Sequence, residues 1–117
     1  MKYVLLMYAS ESDSPKTPDA LQAVGKEWVD FMQEAKAAGV LLSSNGLDPM
    51  ASATTVRVRN GKTLTTDGPF AETHEQLGGF DLLECKDLDE AIRWAAKMPP
   101  AKYGSVEIRP LWVPNNK

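Results

Sequence analysis

Tyr3–Tyr8 carries an apolar or aromatic side chain at every position. In a strand, successive side chains point to opposite faces, so a segment of this kind needs cover on both. The rest of the chain must supply that cover.

Downstream, Ala9–Lys16 is small and polar and reads as a loop. Thr17-Pro18 offers an N-cap followed by proline at the first helical position, where a missing N–H costs nothing. Leu21, Val24, Trp28, Phe31, Met32 and Ala35 then recur at helical spacing, and Gly39 stops the helix. Gly25 within it costs ~1 kcal/mol against alanine, which marks a position of close contact. Val40–Ser44 is a second strand, ending in the turn residues Asn45-Gly46 and Asp48-Pro49. Thr54–Arg59 alternates, with Val56 and Val58 on one face and Arg57 and Arg59 on the other. Asn60-Gly61 tolerates the positive φ of a type I′ turn, so Lys62–Thr66 returns as the partner strand. Asp67–Gln76 is a polar loop, and Gly79–Cys85 is a strand. Asp87 with Glu90 forms a capping box. The helix it opens places Leu88, Ala91, Ile92, Ala95 and Met98 on its core side and is stopped by Pro99-Pro100. Ser105–Trp112 is the last strand.

The order is β-α-β, an inserted hairpin, then β-α-β. Right-handed crossovers put both helices on one face of a mixed sheet, with the Tyr3–Tyr8 strand central. The expected class is α+β, a ferredoxin-like sandwich with an inserted β-hairpin, in one domain over residues 1–117. Since helices cover one face only, Leu6, Tyr8, Leu83 and Leu111 cannot all reach them. The opposite face therefore needs a partner, and a two-fold homodimer is the commonest solution.

Charge and cysteine usage narrow the function classes. Thirteen Lys+Arg against sixteen Asp+Glu give a net charge of −3, which argues against direct nucleic-acid binding. The single cysteine, Cys85, excludes an internal disulfide framework and a Cys-rich metal site. No apolar run approaches the ~18–20 residues of a membrane span, and no A-x-A-like cleavage site follows Met1-Lys2, so a cytoplasmic protein is expected.

Asp67-Gly68-Pro69-Phe70-Ala71-Glu72-Thr73-His74-Glu75-Gln76-Leu77-Gly78-Gly79-Phe80 is the least ordinary stretch. It resembles the signature of the DGPF-domain, YCII-related family. The likeness extends to the Lys2–Tyr8 strand, the Gly46-Leu47 turn, Asp87–Ala91 and Gly104–Pro110. The resemblance implies a dimeric α/β barrel without a settled reaction or cofactor. Some relatives are fused to or encoded with alternative sigma factors, and a few distant barrel relatives are degradative enzymes. The YCII branch is associated with a His-Asp pair whose histidine lies near the start of the first helix. Thr17–Ala23 contains no histidine, so that pair is not carried over.

Each candidate for chemistry has a structural counterpart. Asp67 can cap its own turn as an Asx residue, or act as a general base or ligand contact at the mouth of a cleft. Capping takes precedence. Glu72 and Glu75 add carboxylates nearby, but without a second histidine or a dense Asp/Asn pattern solvated charge is preferred and no metal is expected. His74 is the only histidine and the only side chain with an unperturbed pKa near neutrality. The family pattern commonly places lysine there, which makes it a rim residue before a catalytic one. Gly78-Gly79 admits close backbone approach to a ligand, although tight packing or a bulge is favoured. Arg109 shares a face with Glu107 and is expected near Asp81. It can clamp an anionic ligand or form an ion pair. Arg57 and Arg59 read as a solvated face. Cys85 beside Lys86 has either a slightly lowered pKa or, preferably, a core position.

Beside a purely structural dimer, two functional readings follow. In one, a small-molecule binding protein or modest enzyme draws polar groups from Asp67, Glu72, His74, Glu75 and Arg109. Tyr8, Phe70 and Phe80 form its apolar wall. In the other, the chain is a regulatory interaction module linked to alternative sigma factors, with a filled cleft and a second exposed apolar patch. Phe70, the only large apolar residue between Asp67 and Gln76, is expected to anchor its loop in the core.

Overall fold

A computed structural model describes residues 1–71 and 73–114. Their elements run β1 (Lys2–Ala9), α1 (Pro18–Ala37), β2 (Leu41–Gly46), β3 (Thr54–Arg59), β4 (Lys62–Asp67), β5 (Gln76–Glu84), α2 (Leu88–Ala95), α3 (Pro100–Tyr103) and β6 (Ser105–Pro110). A four-stranded sheet has the order β2-β5-β1-β6, and β3-β4 stands apart as a two-stranded ribbon. This is an α+β architecture in the ferredoxin-like strand order, with β1 interior as expected. Every neighbouring pair is antiparallel. The expectation of a mixed sheet fails because each crossover skips one strand, so parallel strands are never adjacent.

The start and stop signals act locally as the sequence implies. The Thr17 hydroxyl accepts from the Ala20 amide at 3.1 Å, and Pro18 occupies the first turn of α1. Gly39 has φ +73 and ends the helix. Asp87 accepts from the Glu90 amide at 2.9 Å. The reciprocal arm of this box is displaced by one residue, because Glu90 Oε1 accepts from the Lys86 amide at 2.7 Å. That hydrogen bond, followed by weaker contributions from Trp94, Lys86 and Arg93 against slight burial, holds the Glu90 carboxyl below its ordinary value. Asn60 and Gly61 have φ +54 and +75, so the ribbon turns as type I′.

Alternation along β1 divides the core from the open face. Tyr3, Leu5 and Met7 are buried against the helices, while Val4, Leu6 and Tyr8 are half-buried on the other side. Pairing carries the division across the sheet. Leu83 lies opposite Tyr3 and Asp81 opposite Leu5 on the helix side, whereas Leu82 and Phe80 lie opposite Val4 and Leu6 on the open side. Leu83 is 0% exposed, so its assignment to the uncovered face is corrected. One pleat decides it. Leu111 lies beyond β6, exposed.

Phe31, Ala35, Ala91, Ala95 and Met98 close the core from above. Leu88 and Ile92, expected there, are each 49% exposed. The α2 helix is short, and of the expected core residues it buries Ala91 and Ala95, with Met98 buried in the turn that follows and Trp94 half-buried. That helix stops at Ala95, before Pro99-Pro100, and the prolines start another, α3, because proline suits a first helical turn. Gly25 is exposed and a Cβ built on it would meet nothing within 4 Å, so the expected close contact is absent there.

Candidate functional site

Two cavities adjoin the end of the sheet where β1 finishes and β5 begins. One is about 890 Å3 and is walled by Met7, Tyr8, Trp28, Met50, Leu77 and Tyr103, among others. The second, about 700 Å3, continues toward the ribbon and is walled in part by Thr55, Phe70, Ala71 and Thr73. Tyr8, Asp48, Met50, Pro69 and Leu77 line both, so they are lobes of one cleft. Volumes of this size suit a small organic ligand.

Backbone geometry shapes the cleft. The β1–β5 register slips between Met7 and Tyr8, with Met7 opposite Gly79 and Tyr8 opposite Leu77, which leaves Gly78 as the bulged residue. The Gly78 carbonyl accepts from the Leu47 amide at 2.9 Å, tying the β2 exit to the bulge. At Gly79 a Cβ would sit 2.6 Å from the Asn45 carbonyl oxygen. Gly79 is thus a close-packing position, in line with the favoured reading of the pair. Trp28 is held on its wall by an edge-to-face contact with Phe31, centroids 5.8 Å apart. Tyr103 lines the same lobe, its hydroxyl pKa raised by burial and then by the nearby Glu27 charge.

The sequence-derived candidates scatter. Of the described ones, Asp67, His74, Glu75, Phe80 and Arg109 line neither lobe, Gly78 lines the larger, Tyr8 lines both, and Phe70 lines the smaller. Phe70 is 78% exposed, and this overturns its expected role as a core anchor. The loop is pinned through its backbone instead. The Gly68 amide donates to the Ala53 carbonyl at 2.6 Å, Thr55 Oγ1 donates to the Gly68 carbonyl at 2.8 Å, and Arg57 Nη2 reaches the Phe70 carbonyl at 3.4 Å. Gly68 has φ +100, a conformation that favours glycine.

Asp67 is exposed at the end of β4, where no described group donates to its carboxylate, and the expected Asx turn is not formed. His74 is exposed. Glu75 accepts from the Ser105 hydroxyl at 2.8 Å, beside Tyr8. Glu72 lies outside the described residues. Among the described residues no group of three His, Cys, Asp or Glu side chains is placed to share a metal ion.

Arg109 and Glu107 do share a face, the open one, opposite Val4 and Leu6. Asp81 is on the other side of the sheet, so the expected approach of Arg109 to Asp81 is corrected. The partner on the open face is Tyr8. Its hydroxyl pKa is raised by burial first and then by the charge and hydrogen bond of Glu107, with Arg109 opposing. Cys85 is buried, and burial followed by the Glu90 charge pushes its thiol up, which removes the lowered-pKa alternative.

Asp81 is the group that the sequence reading undervalued. It is 0% exposed, and both carboxyl oxygens lack a hydrogen-bond partner among the described residues. Burial raises its pKa, while the nearby Ser44 side chain and Asn45 amide pull the other way without reaching hydrogen-bond geometry. Other missed residues are Glu11 and Asp48, which line the 890 Å3 lobe. The signal available for them was position: each sits in a loop leaving the end of a strand, where function concentrates.

An α+β fold with a ferredoxin-like strand order, a projecting ribbon and an end-of-sheet cleft defines the class. A model of the YCII-related domain matches residues 1–114. An uncharacterized protein of Rhizobium meliloti (strain 1021) is 38% identical over 121 residues, covering 95% of this chain and 92% of that protein. The chain belongs to the YCII-related family.

Proposed function

We propose that the chain acts as a homodimer, two copies joined through their open sheet faces as a dimeric α/β barrel, each with a small-molecule binding cleft at the end of β1. The observation that carries this reading is the open face itself. Val4, Leu6, Phe80 and Leu82 form a contiguous apolar surface with no helix of the described residues over it, and such surfaces mark interfaces. The cleft borders that face, since Tyr8 belongs to both. Phe70 supplies a wall of the cleft. Asp67, Glu72, Glu75 and Arg109 are its outer polar candidates, with Asp67 and His74 the residues to test for catalysis.

Among the described residues no helix is long and apolar enough to cross a membrane; a cytoplasmic site of action is part of the proposed reading. Light scattering at micromolar concentration is expected to give twice the chain mass, and Leu6→Asp is expected to give monomer or aggregate by placing a charge in the interface. A clean wild-type monomer refutes the reading.

A second reading, a regulatory module linked to an alternative sigma factor, is favoured by one observation. Val56 and Val58 are exposed side by side on one face of the ribbon. The unfilled cleft favours the first.

A further inference from the structure

The charge on the cleft walls has a single sign. Glu11 and Asp48 are the charged residues among those lining the 890 Å3 lobe, and Asp48 is the charged residue among those lining the other. No lysine, arginine or histidine is among these lining residues. Neither carboxylate forms an ion pair with a described residue, so their charge is not already spent on a lysine or arginine neighbour. Both are exposed, so a ligand can pair with them without a large desolvation cost.

Five of the other residues lining the lobe carry aromatic or thioether side chains, beside small and aliphatic ones such as Leu47, Leu77 and Pro100. Tyr8, Trp28 and Tyr103 present rings, and Met7 and Met50 present flexible sulfur-containing chains. Aromatic faces attract cations, most strongly tryptophan, and methionine adapts to irregular apolar bodies. An anionic ligand would meet two carboxylates and find no cation on these walls. A calcium ion wants six to eight oxygens, which two carboxylates on apolar walls do not offer.

We propose that this cleft binds a small organic cation, a primary amine or quaternary ammonium carried on an apolar body. In this assignment Glu11 and Asp48 balance the positive charge, and Trp28 and Tyr103 flank it. The assignment rests on the small-molecule cleft reading above and adds the class of ligand.

The test is calorimetric titration of the full chain with hexylamine, hexanol and hexanoate, which share one apolar body and differ in charge. Hexylamine is expected to bind about tenfold more tightly than hexanol, with hexanoate weakest. In a Glu11→Gln, Asp48→Asn double variant, whose fold is checked by its melt, the preference for the amine is expected to disappear while hexanol binding stays. Hexanol or hexanoate binding as tightly as hexylamine overturns the cation assignment and leaves the cleft standing. An amine preference that survives the double substitution overturns the assignment too. Failure of all three probes to bind overturns the assignment together with the cleft.

Discussion

Replacing Asp81 by valine is expected to stabilise the protein, although it removes a fully buried residue. The carboxyl is enclosed between the sheet and the helices with no hydrogen-bond partner for either oxygen among the described residues. A buried polar group left unsatisfied costs ~1–3 kcal/mol, and valine is a β-branched residue suited to an interior strand. A gain of ~2 kcal/mol follows. Unfolding entropy of ~2.1 cal/mol/K per residue over 117 residues comes to about 0.25 kcal/mol/K, so the melting temperature rises by about 8 °C at neutral pH. Asp81→Asn keeps a buried, unpaired amide and gains little.

The pH dependence has a definite sign. Burial raises the folded-state pKa of Asp81 above 3.8, so above pH 3.8 the folded state holds more protons than the unfolded one, and stability falls with rising pH up to the folded-state pKa. Asp81→Val loses that component. Circular-dichroism melts of both proteins from pH 4 to 8, at one fixed concentration so that association stays constant, make the comparison. A lower melting temperature for Asp81→Val at neutral pH, or an unchanged pH slope, refutes the reasoning by revealing a satisfied carboxylate.

Gly25→Ala is expected to gain about 1 kcal/mol, roughly 4 °C in a thermal melt, because its Cβ enters open space in an exposed turn of α1. Gly79→Ala is expected to lose several kcal/mol in urea unfolding, comparable to other overpacked core sites, because its Cβ would collide with the Asn45 carbonyl at 2.6 Å. Phe70→Ala is expected to melt within about 0.5 kcal/mol of wild type, since the ring is 78% exposed; a loss of several kcal/mol would mean that another surface covers it.

Much of the fold was legible because local signals agreed with one another. Thr17-Pro18, Gly39, Asn60-Gly61 and Asp87 each dictate a terminus or turn through a hydrogen bond or a dihedral preference confined to a few residues. The failures came where a side chain's fate depended on tertiary geometry. Leu83 and Phe80 belong to the same strand, and only the pairing Tyr3↔Leu83 and Leu6↔Phe80 sends one to the core and the other to the open face. Leu88 and Ile92 keep helical spacing with Ala91 and Ala95, yet a helix of eight residues buries one narrow stripe, and the small residues occupy it.

The site was less legible for a related reason. The DGPF stretch is the least ordinary part of the sequence, yet its demands are those of backbone. Gly68 turns, Gly78 bulges and Gly79 lets Asn45 approach. Pro69, Phe70, Gln76 and Leu77 of that run line the cleft, and Glu11, Trp28, Asp48 and Tyr103 complete it from two strand-exit loops and two helices. Spacing along the chain cannot report such a convergence, because it arises when the β-α-β crossovers bring those ends together. What the sequence does contain is the backbone freedom that shapes the cleft. The DGPF run therefore supports the cleft mainly as its frame, while the charge facing a ligand comes from loops with no motif at all.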